Sequence, residues 1–227
     1  MKNCKKVLVI TGAGISKPSG IETFRDKDGL WESVKIEDVA TRKAYLTNPD
    51  KVFYFYKERA LQYNKAQPNQ AHYAIGKLEE YCLKNNMLFL LVTQNVDSLH
   101  EKGGSKKPVH VHGTIKIKNL ETGELTDYNE ESKYKPNLRP DVVLFEEPVR
   151  LDLSYYSNWI HDADLFLSIG TSDLVQPICN TPLYLNKNCK KVQFNIKKTI
   201  MSRVYDEIVI GSVEETVPKF VDNLING

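Results

Sequence analysis

Residues 5–31 read KKVLVITGAGISKPSGIETFRDKDGLW, and the fold turns on how that stretch is read. A short apolar run, Val7, Leu8, Val9 and Ile10, leads into Thr11-Gly12-Ala13-Gly14. A continuous apolar run of this kind reads as a parallel strand buried on both faces, ending in a glycine turn that opens a helix. Gly12 and Gly14 would let the backbone approach a pyrophosphate, with the N–H groups of the following helix turned toward the anion. A glycine pair after a first strand is equally the mark of an ordinary tight turn. The dinucleotide spacing G-x-G-x-x-G calls for a third glycine at position 17, where this chain has Lys17, so the usual dehydrogenase fingerprint is missing. What singles the stretch out is its continuation: Ser19-Gly20-Ile21, Thr23-Phe24-Arg25 and Gly29-Leu30-Trp31.

Outward from it, strand-like apolar runs recur at 7–10, 88–93, 142–145, 165–169, 192–195 and 208–210. Helical patterns fall between or beside them at 49–66, 70–85, 153–163 and 213–225, with Asn69 as a cap for the second. This alternation predicts an α/β fold, a doubly wound parallel sheet of Rossmann type. One polar insert, 116–137, reads either as a hairpin turning at Glu121-Thr122-Gly123-Glu124 or as a solvated loop. The 227 residues are enough to bury roughly 70% of the unfolded surface in one main core. The expected organisation is a single domain over 1–227, with segments 26–68 and 114–138 inserted as a smaller lobe.

A net charge of +2 with interspersed lysine and glutamate gives no basic surface for nucleic acid or a membrane. The apolar run after Lys5 and Lys6 is too short for a signal segment, and 88–92 is far too short to span a bilayer. The four cysteines, Cys4, Cys82, Cys179 and Cys189, form no C-x-x-C pair and read as reduced thiols of a cytoplasmic protein. A monomer is expected.

Several constellations could carry chemistry. Thr93-Gln94-Asn95-Val96-Asp97-Ser98-Leu99-His100 follows a predicted strand, where open α/β sheets bind ligands, although Asn and Asp also cap helices there. His110 and His112 lie two apart in Val109-His110-Val111-His112-Gly113, one strand face, but no further ligands cluster near them, so a metal pair is rejected. Gly170-Thr171-Ser172 ends another strand and offers a turn and two hydroxyls. Tyr56 and Arg59 lie three apart, on one helix face, where a phenol and a guanidinium can hold a carboxylate together. On its own such a pair is more often a packed tyrosine and a surface arginine.

In these residues the chain resembles the sirtuins, the NAD-dependent protein deacylases. GAGISKPSGIETFR and GLW are similar to that family's opening signature, and TQNVDSLHEKGG, VHG and GTS follow in the family's order, so the resemblance spans nearly the whole chain. It implies NAD as cofactor, held by Gly12, Ala13, Gly14, Ser16, Thr23, Phe24, Arg25, Trp31, Gln94, Asn95 and Asp97 on one side. Gly170, Thr171, Ser172, Asn195 and, on a weaker match, Val213 would complete the cofactor site. It implies His112 as general base, with Asn95 and Asp97 positioning the nicotinamide ribose and Phe24 shielding it from water. Tyr56 and Arg59, with the small Ala40 beside them, resemble the acyl pocket of class III sirtuins, which remove succinyl, malonyl and glutaryl groups. Val143, Phe145 and Glu146 resemble the strand that binds the acylated-lysine protein substrate. The products would be free lysine, nicotinamide and O-acyl-ADP-ribose. His110 is left as structural.

The chain also departs from the family. No cysteine lies between His112 and Arg139, so no zinc is expected, and a small hairpin would replace the zinc module. Glu22 replaces a proline. Glu146 replaces a glycine, where a positive φ would strain it and its side chain would crowd a peptide. Alternatives on the same fold are an NAD hydrolase or mono-ADP-ribosyltransferase, and a non-catalytic NAD or ADP-ribose sensor.

Overall fold

A computed structural model describes residues 4–22, 34–175 and 178–227. The elements in chain order are β1 (Lys6–Thr11), α1 (Ile36–Val39), α2 (Arg42–Thr47), α3 (Pro49–Lys65), α4 (Gln70–Lys84) and β2 (Leu88–Thr93). There follow α5 (Leu99–Lys102), β3 (Val109–His110), β4 (Gly113–Asn119), β5 (Leu125–Thr126) and β6 (Leu138–Val142). The last are α6 (Leu153–Asp162), β7 (Leu165–Ile169), α7 (Thr181–Tyr184), β8 (Lys190–Asn195), β9 (Glu207–Ile210) and α8 (Val213–Asn226).

Six strands form a parallel sheet in the order β3-β2-β1-β7-β8-β9. The chain builds leftward from β1 to β3 and then returns to add β7 on the other side, so the strand order reverses between β1 and β7. That reversal is the switch point where doubly wound sheets open a crevice at their carboxyl ends. The register pairs Thr11 with both Thr93 of β2 and Ile169 of β7, so three strands end at one level. Val7, Leu8 and Val9 are fully buried because helices cover both faces of the sheet. One face packs on α4 and α8 through Ile75, Leu78, Val217 and Val221. The other packs on α6 and the 178–185 turn through Trp159, Ile178 and Leu185. Asn69 caps α4, its side chain accepting from the Ala71 N–H at 3.0 Å, while its own N–H donates to His72 Nδ1 at 3.3 Å.

The glycine turn does not open an α-helix. After β1 come two single 3-10 turns, Ala13–Ile15 and Lys17–Ser19, the second started by Pro18. The expected strand at 142–145 also moves. The strand is Leu138–Val142, and it pairs antiparallel with β4 rather than joining the main sheet. Val142 and Leu144 face the smaller core while Phe145 is exposed, so the apolar run VVLF serves one lobe face at alternate positions.

The smaller lobe is a three-stranded antiparallel sheet, β5-β4-β6, against α1–α3. The insert is a hairpin, turning through Gly123, whose φ is +76°. Its far end is anchored by an aromatic contact: Tyr128 is buried with its ring 5.1 Å from that of Phe53, and Tyr134 stands 5.9 Å from the same ring. Among the described residues no helix is long and apolar enough to cross a membrane.

Candidate active site

The glycines of the first turn act between two loops of the protein. Gly12 N–H donates to Ile169 O at 3.0 Å, and Gly14 N–H to Gly170 O at 2.9 Å. A Cβ on Gly14 would lie 2.7 Å from the Gly170 Cα, and one on Gly170 (φ +63°) would lie 2.4 Å from the Ile15 N. The loops from β1 and β7 therefore close on each other at the switch point, and only glycine permits that approach. Ala13 and Ser172 stay exposed at this rim.

Behind the rim, the residues after β2 form a buried polar cluster. Ser16 Oγ donates to Asp97 Oδ2 at 2.9 Å, and Asn95 Nδ2 donates to Ser16 Oγ at 3.0 Å and to Gly12 O at 3.3 Å. Leu99 N–H donates to the other Asp97 oxygen at 3.0 Å, which starts α5. Burial raises the Asp97 pKa, against the lowering effect of the Leu99 and Ser16 hydrogen bonds. The capping and ligand-site readings of this stretch thus coexist: Asp97 caps a turn and fixes Ser16 and Asn95 beneath the glycine loop. Deeper still, His100 Nε2 lies 2.8 Å from Thr11 Oγ1, which donates to Thr93 Oγ1 at 2.9 Å, and the Asn95 N–H donates to that same Thr93 oxygen at 3.1 Å. His72, fully buried, stands ring to ring with His100 at 5.1 Å. Neither histidine was singled out from sequence. The signal for His72 was its place three residues after the Asn69 cap.

His110 and His112 anchor to successive carbonyls of the same loop. His110 Nδ1 meets Asn95 O at 2.8 Å, and His112 Nδ1 meets Gln94 O at 2.8 Å. Their chemistry then diverges. Burial pushes the His110 pKa down, but its contact with Glu101 (2.9 Å) and the Asn95 carbonyl outweigh this and leave it raised. His112 has no carboxylate beside it, and burial lowers its pKa despite the Gln94 carbonyl. His112 is therefore the neutral imidazole of the two. Its Nδ1 carries the proton toward Gln94 O, which leaves the lone pair on Nε2. Gly113 must follow it: φ is +76°, and a Cβ would lie 2.1 Å from the Asp141 O.

Segment 143–147 forms the wall beside His112. Val143 N–H donates to His112 O at 2.8 Å, and Phe145 N–H donates to Ala40 O at 2.8 Å. Glu146 has φ +77°, the left-handed value that strains a side chain of this kind. Arg139 grips both Glu147 oxygens, at 3.1 and 3.0 Å, and Glu147 Oε2 also accepts the Leu144 N–H at 3.0 Å. Ala40 and Tyr56 are buried in one apolar cluster. Arg59 lies one turn on along α3, 4% exposed, with Nη1 donating to Phe55 O at 2.8 Å and its guanidinium 3.3 Å over the Phe55 ring. Burial raises the Tyr56 pKa and lowers that of Arg59, so the pair is a phenol beside a partly desolvated cation.

On the far side of the switch point, Thr171 and Asn195 are engaged within the protein. Thr171 Oγ1 donates to Asp173 at 2.8 Å, and Asn195 Nδ2 donates to Thr171 O at 2.7 Å. Gln193 Nε2 donates to the other Asp173 oxygen at 2.7 Å. Asn195 therefore ties the end of β8 to the GTS loop. Val213 is buried in the core at the start of α8, so only its backbone can reach a ligand. Thr23, Phe24, Arg25 and Trp31 lie outside the described residues.

A Rossmann-like sheet with a neutral imidazole and a buried Ser-Asn-Asp cluster at its switch point has the layout of a nucleotide site. Residues 12–177 match the Sir2 family. The chain is 40% identical to an NAD-dependent protein deacylase of Bdellovibrio bacteriovorus, over 97% of each protein. It is 39% identical to one of Salmonella typhimurium, over 98% of this chain and 85% of that protein. A solved Sir2 homologue in complex with NAD superposes with a TM-score of 0.86 at 32% identity, covering 99% of this chain and 91% of that one. The chain belongs to the Sir2 family.

Proposed function

We propose that this protein removes acyl groups from lysine side chains of other proteins, consuming NAD, and that it favours the acidic succinyl and malonyl groups. The observation that carries this is the wall from His112 through Val143 and Phe145 to Ala40, which links a neutral imidazole to the buried cluster that holds Ala40 and Tyr56, with Arg59 buried one turn further along the same helix. The donor set fits NAD. The rim at Ala13 and Ser172 suits a diphosphate and ribose, and the Gln94, Asn95 and Asp97 loop suits the nicotinamide ribose. Bound NAD supplies an electrophilic ribose carbon with nicotinamide as leaving group. Asn95 and Asp97 are held rigid by Ser16, so they orient that ribose without reorganising. His112 Nε2 takes a ribose hydroxyl proton, and the Gln94 carbonyl steadies the imidazolium that forms. Phe24 would exclude water. A buried Arg59 is better solvated by a carboxylate than by a methyl group, which supports selection of acidic acyl chains.

The same reading has the chain as one catalytic unit with the smaller lobe inserted through 26–68 and 114–138, acting in the cytoplasm as a monomer and without zinc. Tyr128 packed on Phe53 anchors the far end of the hairpin through an apolar contact. The test is mass spectrometry of acetyl-lysine and succinyl-lysine peptides with protein and NAD, beside a control lacking peptide. Faster loss of succinyl, abolished by Arg59→Met, is the expected result. His112→Ala, folded and still binding NAD, should lose deacylation by about 100-fold or more. One observation favours a second reading: the Glu146 side chain on the substrate strand would crowd a peptide, leaving NAD hydrolysis or ADP-ribosyl transfer. Equal NAD loss without peptide, with both peptides intact, would establish it instead.

A further inference from the structure

Glu146 ends the wall beside His112 in a conformation that glycine holds without strain, φ +77°. Its neighbours impose that turn. Glu147 N–H donates to Leu144 O at 3.0 Å, the Leu144 N–H returns to the Glu147 carboxylate at 3.0 Å, and Phe145 is pinned to Ala40. Glu146 takes no part in these contacts and is exposed. The other acids of the wall are neutralised, Glu147 by Arg139 at 3.0 Å and Asp141 by Arg150 at 2.8 Å. Among the described residues Glu146 has no cation within ion-pair distance. A strained, solvent-facing and uncompensated carboxylate does nothing for folding, and strain of this kind gathers where it serves a site.

We propose that Glu146 is a specificity-determining residue, its carboxylate selecting protein substrates that carry lysine or arginine beside the acylated lysine. The inference rests on the deacylase reading, with the substrate backbone lying along 143–146. The residues flanking the acylated lysine then pass the exposed end of that segment. A cation there gains a carboxylate, and an acid meets repulsion. The acidic acyl group is not in conflict with this. Arg59 is buried on its helix and Glu146 is exposed at the surface, so the two charges would read different parts of one substrate.

The test uses two peptides with the same acyl-lysine, flanked on both sides by lysine or by glutamate, and compares kcat/KM for the parent, Glu146→Gln and Glu146→Lys. The glutamine keeps the side-chain size at the same backbone position, and thermal unfolding confirms that each variant is folded. The parent should favour the lysine-flanked peptide by about 5-fold at low salt, mainly in KM, and by less at roughly 0.5 M salt. Glu146→Gln should bring the ratio close to one, and Glu146→Lys should reverse it. A parent that deacylates both peptides equally, or a preference that survives in Glu146→Gln, overturns the inference alone. A parent that deacylates neither peptide overturns the deacylase reading and the inference with it.

Discussion

Gly113 and Gly123 have the same backbone conformation, φ +76°, and opposite surroundings. A Cβ on Gly123 would meet nothing within 4 Å, while one on Gly113 would lie 2.1 Å from the Asp141 O and 3.0 Å from the Arg150 Nη1. Replacing each with alanine therefore separates conformational strain from steric overlap. Gly123→Ala carries only the left-handed penalty for an L-residue, roughly 1 kcal/mol. Gly113→Ala carries that and a clash with a backbone oxygen that β4–β6 pairing holds in place, which adds about 2 kcal/mol of the overpacking kind. At roughly 2–4 °C per kcal/mol for a chain of this size, Gly123→Ala should lower Tm by about 3 °C and Gly113→Ala by about 9 °C. Differential scanning calorimetry reads both. The damage at Gly113 should also reach the chemistry, because the next residue back, His112, holds Val143 through its carbonyl. At 25 °C, where both variants remain folded, Gly113→Ala should lose at least 10-fold in kcat, an order-of-magnitude figure for a displaced catalytic group, and Gly123→Ala almost nothing. Equal Tm losses for the two variants would refute the close-packing argument, and a fully active Gly113→Ala would refute the link from the glycine to His112.

The His112 pKa is held below the ordinary histidine value of 6.5 by burial, so the imidazole proposed as the base is already deprotonated at neutral pH. The deacylation kcat/KM should be flat above neutrality and fall as pH drops through that lowered value; an acidic limb centred at or above 6.5 would refute this assignment. His72 is fully buried and neutral, its pKa lowered to about 4 by desolvation. Below pH 6.5 the unfolded chain takes up this proton before the folded chain does, so stability should fall as pH drops from 6.5 toward 4, by about 3 kcal/mol in all. Urea unfolding of the parent and His72→Phe at pH 7 and pH 5 measures it, and a pH dependence that is the same in both would show that His72 is not its source.

Much of this protein was determined by sequence alone, because the interactions concerned are local. Apolar runs of three to six residues alternating with helical patterns read as strands of a parallel sheet, and all but one joined it. Asn69 announces the start of α4, and the Gly123 turn the hairpin, because caps and turns are decided within four residues. The structure decided what depends on contacts distant in sequence. Residues 143–145 leave the strand because Val143 and Phe145 find their acceptors on His112 and Ala40, about 30 and 105 positions away. Gly12 and Gly14 read from sequence as either a ligand cradle or a tight turn, and the fold adds a third demand on them, room for the backbone of Gly170. His110 and His112 are indistinguishable in the pattern VHVHG. Only folding places Glu101 against the first and leaves the second with a carbonyl alone, and that difference in electrostatic surroundings moves their pKa values in opposite directions.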